Sequence, residues 1–519
     1  MGLRIIYGRA GSGKSEYCYK EIAKDIEKNE KIFLITPEQF SFTAEKKLME
    51  AVKTEAVLQA EVVHLSRLAK RVIKEIGIKD DRMSKCGKAM LISHILTMQK
   101  KDLKYLSKSE ENINLAISSI TELKKHGVTV EMLKEQIDKT ENIYLKTKLQ
   151  DISVIYEQYD EQIKQSYIDE ADELAILAEN IENIKWLKNS VIYIDEFAGF
   201  TYSEYQVIKG LIKYAKQVNI TITVDNLEQT LNPDTDIFYA NKITVKKLQD
   251  IVSQNELKLE KPIKMLEVKR FKTLELKYIE GNLFKTQSTK YEQKVENLSM
   301  FLAKNQYTEI EYIAKEITKL VKEKKKRYND IAIITKNIQS YSNLARVIFE
   351  KYDIPIFIDE KRELSQNIII QYVLSIFEIL QKNYSKESVF QYAKMGFLEI
   401  EQSDIFKLEN YCTKWGIKQN KFKKDFVYEL EKNKQEIEYY NELRKKIIEP
   451  IENLKQKIRK GKTAKGITVA IYDFLEKQKI EEKIFLKMQE LKEKNREDLV
   501  QEYKESYEIL INVLDEIVK

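Results

Sequence analysis

An octapeptide near the start of the chain, Gly8 to Ser15, constrains the fold more than any other stretch. Its sequence, GRAGSGKS, fits the pattern G-x-x-x-x-G-K-[ST]. The apolar run at residues 3–7 predicts a strand before it, and residues 16–27 predict a helix after it. A glycine-rich loop between a strand and a helix binds phosphate, because backbone N–H groups and the helix N-terminus point at the anion. The alternative is a glycine turn that precedes a helix by chance.

Each residue of this loop is a candidate nucleotide contact. The glycines let successive N–H groups converge on one point. Lys14 would reach the β- and γ-phosphates, and the Ser15 hydroxyl would bind Mg²⁺. ATP and Mg²⁺ are therefore the expected ligands, and the candidate binding residues are Gly8, Arg9, Ala10, Gly11, Ser12, Gly13, Lys14 and Ser15.

A second apolar strand, residues 191–194, ends in Asp195 and Glu196. Hydrolysis of a bound triphosphate needs a carboxylate in the Mg²⁺ shell and a base that orients water, both beside the phosphate loop. We expect Asp195 to be the magnesium ligand and Glu196 the base, with Lys14 as the third catalytic residue. Taken alone, an apolar run that ends in Asp-Glu also fits a strand that terminates at the surface.

Strand and helix patterns alternate over residues 1–84 and resume at 184, which predicts a parallel sheet covered on both faces. Between them, residues 85–183 keep helical spacing and predict a helical insertion. A second α/β segment is expected from about residue 295, with a helical region from 367 to the end. Its predicted elements are strands at 297–302, 331–334 and 356–358, helices at 308–322 and 341–352, and a basic loop at 457–466.

Length and composition limit the class of protein. A chain of 519 residues is too long for one core, so two or more domains are expected. No run of 18 or more uncharged apolar residues occurs, and we expect a cytoplasmic protein without a membrane contact. Lys and Arg number 89 against 83 Asp and Glu, so the net charge of +6 permits nucleic-acid binding without indicating it. The three cysteines lack metal-site spacing.

Several stretches in order resemble one known family, the AddB subunits of the bacterial AddAB ATP-dependent helicase-nuclease, which are superfamily 1 helicase-like proteins. The phosphate loop is the most specific of them; the others carry the resemblance by their order and spacing. The matching stretches are residues 8–15, 36–45, 64–69, 194–201, 309–314, 328–334 and 352–359.

The resemblance implies an α/β fold with P-loop RecA-like parallel sheets and large all-helical insertions. Domain 1A would comprise residues 1–84 and 184–290, and the insertion 85–183 would be domain 1B. Residues 291–366 would begin domain 2A, and 367–519 would form a helical 2B-like region. The implied function is that of an ATP-binding subunit in a complex that processes DNA double-strand ends for recombinational repair. Its implied partners are DNA, as duplex ends and single strands, and an AddA-like subunit.

The sequence departs from the family pattern in three ways. The family's nuclease domain, with its four-cysteine iron–sulfur cluster, would lie beyond Lys519, so we expect neither a nuclease site nor a cluster in these residues. Thr335-Lys336-Asn337 stands where a helicase would often place an arginine. An autonomous motor is not expected. A non-hydrolysing scaffold that binds DNA and the motor partner is the alternative, and a metabolic P-loop kinase would leave the second α/β segment unexplained.

Contacts to DNA are less defined by the sequence. Phe40 and Phe42 follow a strand and could stack on bases, or could pack into the sheet. The run Lys324 to Arg327 fits a solvated helix end better than a phosphate contact. The isolated histidines, such as His64, fit structural roles.

Overall fold

The chain divides into two units, residues 1–300 and 301–519. In this computed structural model the described residues are 2–52, 59–78, 82–106, 111–163, 168–228, 232–285, 289–360, 364–428 and 433–518. Within these ranges no helix combines the length and the apolar character needed to cross a membrane.

A parallel sheet forms the centre of the first unit. Its strands are β1 (Gly2–Gly8), β2 (Ile32–Ile35), β3 (Ala60–Val63), β4 (Val191–Ile194), β5 (Gln217–Thr223), β6 (Lys258–Leu259) and β7 (Ile263–Lys264). Among the described residues the strand order is β3-β2-β4-β5-β1-β6, β7 also pairs with β1, and every pair is parallel. The predicted α/β fold is confirmed, and so are the strands expected at residues 3–7 and 191–194, which are β1 and β4. The short β6 and β7 were not predicted.

Alternate residues of each central strand enter two separate cores, as the period of two along a strand requires. In β2, Phe33 and Ile35 join one core, and Ile32 and Leu34 join the other. Helices cover both faces. The helices of the first unit are α1 (Lys14–Glu27), α2 (Ser41–Val52), α3 (Leu65–Glu75), α4 (Lys85–Met98), α5 (Asn112–Lys125), α6 (Val130–Lys139), α7 (Ile143–Ile163), α8 (Glu173–Asn180), α9 (Lys185–Lys188), α10 (Tyr202–Tyr214), α11 (Tyr239–Gln254) and α12 (Leu274–Asn282).

Residues 85–183, predicted to be helical, contain α4 to α8 in the described ranges, and α4 to α7 enclose an apolar core of their own. Beside that core lies a buried charge network. The Lys124 ammonium lies 2.8 Å from Asp160, 3.4 Å from Asp169 and 2.7 Å from Asp172. Lys88 also pairs with Asp169. Burial raises the pKa of Asp172, whereas Lys88 and Lys124 hold the pKa of Asp169 below its ordinary value against the effect of burial.

The second unit is helical in its described parts. Helices α13 and α14 pack on each other around a small apolar core, and the later helices share a larger one. The helices are α13 (Gln306–Lys324), α14 (Ser342–Lys351), α15 (Ile368–Gln381), α16 (Lys386–Ala393), α17 (Gln402–Lys414), α18 (Lys434–Lys460), α19 (Ala464–Lys477), α20 (Ile480–Glu493) and α21 (Glu497–Val518).

Three strands predicted for the second α/β segment are wrong. Residues 297–302, 331–334 and 356–358 pair with no strand among the described residues, although the helices expected between them form. Their apolar composition fits a strand, but a strand also needs a neighbour that takes its backbone hydrogen bonds. Without one, Ile334 is 94% exposed and Phe357 is 90% exposed.

The predicted basic loop at 457–466 is also wrong in extent. Residues 457–460 are the last turn of α18, and α19 begins at Ala464, so the loop is three residues long. Lys457 pairs with Asp473 at 2.6 Å. The two glycines that suggested a long loop belong to the helix ends. Gly461 is the C-cap of α18, and the Gly466 N–H donates to Oγ1 of Thr463, the N-cap of α19.

Candidate phosphate-binding site

The loop Gly8 to Ser15 runs from the carboxyl end of β1 into α1, so the predicted strand, loop and helix are all present. Its backbone passes through left-handed conformations at two glycines, Gly11 with φ +76° and Gly13 with φ +85°. A side chain at either position would add strain, because L residues rarely adopt such φ values.

The segment after β7 packs directly on this loop. The backbone N–H groups of Lys269 and Arg270 donate to the Gly11 carbonyl oxygen at 2.8 and 3.1 Å. A Cβ on Gly11 would lie 2.5 Å from the Arg270 Cβ, and a Cβ on Gly8 would lie 2.7 Å from the Met265 carbonyl oxygen. Close packing therefore excludes side chains at both glycines, and it fixes the loop against a distant part of the chain.

The Arg9 side chain holds the loop to α12. Its Nε atom donates to Glu280 Oε1 at 2.8 Å, and its guanidinium also donates to the Glu280 carbonyl oxygen. The guanidinium lies 5.2 Å from the ring centroid of Phe238, which is a cation–π distance. The Arg9 side chain thus positions the loop against α12.

Lys14 lies folded along the loop. Its Nζ atom donates to the carbonyl oxygens of Gly8 and Arg9 at 3.0 and 3.1 Å. Burial lowers the pKa of Lys14, and the nearby carboxylates of Asp195 and Glu196 oppose that shift. An ammonium in this environment would gain from the approach of a phosphate, which replaces lost solvation with charge.

Asp195 and Glu196 follow β4, which lies between β2 and β5 in the sheet. Thr221 Oγ1 donates to Asp195 Oδ1, while the buried Asp195 Oδ2 has no hydrogen-bond partner within the described ranges. Ser15 Oγ donates to Glu196 Oε1 at 3.1 Å, across 181 positions of sequence. The structure therefore brings together the two halves of the predicted site.

The loop, the two carboxylates and Lys269 and Arg270 line one cleft of about 600 Å³, within the range of about 300–1,000 Å³ typical of small-molecule sites. Two buried atoms here, Ser12 Oγ and Asp195 Oδ2, have no hydrogen-bond partner in the described part of the chain. A phosphate at the loop and a cation beside Asp195 would satisfy such atoms. The residues present thus fit a magnesium–triphosphate, with Ser15 and Asp195 as the available metal ligands.

Lys269 and Arg270 were not predicted. Both cations come from the segment after β7 and line the cleft. The signal in the sequence was a basic pair shortly after Ile263 and Lys264, but a two-residue strand is too short for periodicity to predict.

The structure also tests what the sequence indicated for two aromatic residues, one histidine and one lysine run. Phe42 is 80% exposed and Phe40 is 38% exposed, so packing into the sheet is wrong for Phe42. His64 accepts a hydrogen bond from the Arg67 N–H as the N-cap of α3, which confirms a structural role. The run Lys324 to Arg327 ends α13 in exposed residues, as predicted.

The backbone of Glu196 lies in the left-handed region, with φ +67°. Because this region costs an L residue about 1–2 kcal/mol, we expect Glu196→Gly to be more stable than Glu196→Ala by about 0.5–1 kcal/mol. Both variants lose the carboxylate, so their difference reports the backbone alone. Urea unfolding of the two variants measures it, and a more stable alanine variant would contradict the strain.

The fold is that of an α/β protein with a parallel sheet and many helices, and its cleft lies beside the glycine-rich loop. A family model described as ADDB, N-terminal, matches residues 5–280. The chain belongs to this family. Over its full length it is 37% identical to an ATP-dependent helicase/deoxyribonuclease subunit of Caldanaerobacter subterraneus and 38% identical to the protein of the same name from Clostridium tetani. It covers 46% and 47% of those proteins, and so spans about half the length of these curated relatives.

Proposed function

We propose that this chain binds Mg-ATP and serves as the nucleotide-binding, helicase-like part of a helicase–nuclease subunit that acts on DNA ends. The observation that carries the proposal is the 3.1 Å hydrogen bond between Ser15 and Glu196. It joins a phosphate loop to the carboxylates at the end of β4, which is separated from β1 by β5 in the same sheet. Nucleotide hydrolysis requires carboxylates beside the bound phosphates.

The residues of the cleft have separate tasks in this proposal. The N–H groups of the loop and the Lys14 ammonium bind the phosphates, and Ser15 with Asp195 holds the metal ion. Magnesium, when bound, neutralises charge on the phosphate oxygens. Glu196 lies beside that position and would orient a water molecule.

The DNA and partner part of the proposal comes from the relatives, each of which is named as one subunit of an ATP-dependent helicase/deoxyribonuclease. Such a name implies at least one further subunit, which we propose to be AddA-like, and a DNA substrate in the cytoplasm. The nuclease activity and the iron–sulfur cluster are not part of this proposal.

We also propose the domain assignment given above, with 1A at 1–84 and 184–290, 1B at 85–183, 2A beginning at 291 and 2B from 367. Support for a second RecA-like layer comes from α13 and α14, which pack together beside the apolar segments 331–334 and 356–358. These segments line an apolar groove of about 710 Å³ where further strands could pair.

Titration with a fluorescent ATP analogue, with Mg²⁺ and with EDTA, tests the proposal. We expect saturable binding that is tighter with Mg²⁺. Glu196→Gln should keep that affinity and lower any DNA-stimulated phosphate release by about 100-fold or more, the usual effect of a lost general base. Absence of nucleotide binding by the folded protein would overturn the proposal. If the wild-type protein and the Glu196→Gln variant both bind nucleotide but neither releases phosphate, the result would favour the non-hydrolysing scaffold.

A further inference from the structure

Two ammonium groups share one aromatic ring in the second unit. Lys423 Nζ lies 4.4 Å from the centroid of the Tyr384 ring, and Lys455 Nζ lies 5.2 Å from it. Tyr384 is fully buried, and its backbone N–H donates to Ile379 at the end of α15. The ring is therefore a fixed platform that holds two like charges near each other.

Cations outnumber carboxylates at this platform among the residues that the structure describes. Lys455 and Arg459 lie one turn apart on α18, so they share a face of the helix. Lys423 pairs with Glu452 at 2.9 Å, and the described groups that act on Lys455 are two cations, Lys423 and Arg459, and one carboxylate, Glu452. Burial lowers the pKa of Lys455, and Lys423 and Arg459 lower it further while Glu452 opposes them. Such crowding of like charge costs free energy unless an anion is present.

A second group of basic and aromatic side chains adjoins the first. The rings of Trp415 and Tyr428 stack with centroids 5.0 Å apart and an angle of 5°. Lys414 Nζ lies 5.1 Å from the Trp415 centroid, and Lys421 Nζ lies 5.7 Å from the Tyr428 centroid. Lys421 and Lys423 both belong to the short 3₁₀ helix Gln419–Lys423, so the two groups are neighbours along the chain.

We propose that this basic surface binds the phosphate backbone of a nucleic acid. It consists of Lys414, Lys418, Lys421, Lys423, Lys424, Lys455 and Arg459, all of which are exposed except Lys455, which is half-buried. An open surface with several separate cations favours a polyanion, because each phosphate contact releases counterions. The inference rests on the proposed function, since it states where DNA would contact this chain.

A longer lysine run elsewhere in the unit lacks these properties. Lys324, Lys325 and Lys326 lie at the exposed end of α13. They stand on no shared aromatic ring, as far as the described residues show, and the next cation, Arg327, pairs with Asp330 at 2.9 Å. The run therefore offers a matched control with the same loss of charge.

Fluorescence anisotropy with a labelled duplex oligonucleotide, over a series of salt concentrations, tests the inference. The test variant is Lys423→Gln/Lys455→Gln/Arg459→Gln, and the control is Lys324→Gln/Lys325→Gln/Lys326→Gln. We expect at least tenfold weaker binding by the test variant and less than twofold by the control. The slope of log affinity against log salt should fall by about 2–3 in magnitude, at about 0.9 per phosphate contact.

Two further measurements serve as controls: DNA binding by Lys423→Arg/Lys455→Arg, and binding of polyglutamate, a polyanion without phosphates, by the test variant. The arginine variant keeps the charge and should bind DNA as the wild-type protein does, which separates the effect of charge from an effect on folding. No DNA binding by the wild-type protein, equal losses in the two glutamine variants, or loss of affinity for polyglutamate but not for DNA would each overturn the inference.

ATP binding, measured on the same proteins, distinguishes this inference from the proposed function. Nucleotide affinity should be the same in the wild-type protein and the test variant. Suppose that the test variant binds DNA more weakly, that the control variant does not, and that neither the wild-type protein nor the variants bind ATP. The inference then stands and the proposed function fails. If ATP binds and the test variant keeps its affinity for DNA, the inference alone fails.

Discussion

Mg-ATP should bind the Lys14→Ala variant about 100-fold more weakly than it binds the wild-type protein. In the proposed complex the Lys14 ammonium contacts two phosphates, and a hydrogen bond to a charged group contributes about 1.5–3 kcal/mol. Two such bonds at the lower figure give about 3 kcal/mol, which is roughly 100-fold in affinity. The variant also loses the two hydrogen bonds from Lys14 Nζ to the Gly8 and Arg9 carbonyl oxygens. The loop should still keep its shape, because the bonds from Lys269 and Arg270 to Gly11 and the Arg9–Glu280 pair do not involve the lysine side chain.

The matched control is Lys24→Ala on the same helix. Lys24 is exposed and pairs with Glu21 at 2.6 Å, and neither residue is part of the cleft lining. The control variant removes the same charge from α1, and its affinity for Mg-ATP should differ from that of the wild-type protein by less than twofold. Isothermal titration calorimetry of both variants measures the difference. Equal affinity of the Lys14→Ala variant and the wild-type protein would contradict the assignment of the loop.

Lys124→Ala should destabilise the helical insertion by about 3–5 kcal/mol. Removal of one partner from a buried ion pair leaves an uncompensated charge, and the usual cost is of that size. Here Asp160, Asp169 and Asp172 all lie within 3.4 Å of the lost ammonium. In this variant Lys88 would still pair with Asp169. Urea unfolding followed by far-ultraviolet circular dichroism measures the free energy.

Its control is the next residue, Lys125, which is exposed and lies 3.9 Å from Glu122. Lys125→Ala removes the same charge from the last turn of α5 and should change the free energy of unfolding by less than about 0.5 kcal/mol. If the two alanine variants unfold at the same urea concentration, the buried network does not contribute to stability as proposed.

Much of the first unit follows from local sequence. A strand such as Ile32–Ile35 combines buried β-branched residues with the length of a covered parallel strand, and its signal does not depend on distant residues. The loop after β1 is equally local, because glycine spacing and Lys14-Ser15 lie within eight residues. The pairing of Ser15 with Glu196 was predictable in kind, since the carboxyl ends of parallel strands meet at one edge of a sheet.

The remaining features depend on contacts that no window of sequence contains. Residues 331–334 have a strand's composition, yet their state is decided by whether another strand lies beside them. Lys269 and Arg270 reach the cleft because β7 pairs with β1, a contact of two residues. The positive φ of Glu196 arises where β4 ends and the chain must turn back over the loop, and Glu has no local preference for that conformation.

The support of the phosphate loop by the end of the first unit sets a minimum size for any working piece of this protein. Glu280, which holds Arg9, lies 271 positions after it, and Met265 and Arg270 meet the two crowded glycines from almost as far. The strand, loop and helix at the N-terminus are therefore not a module that can be transplanted. The shortest fragment able to keep the loop in this shape runs from β1 through α12, and any cut between them separates the loop from its supports.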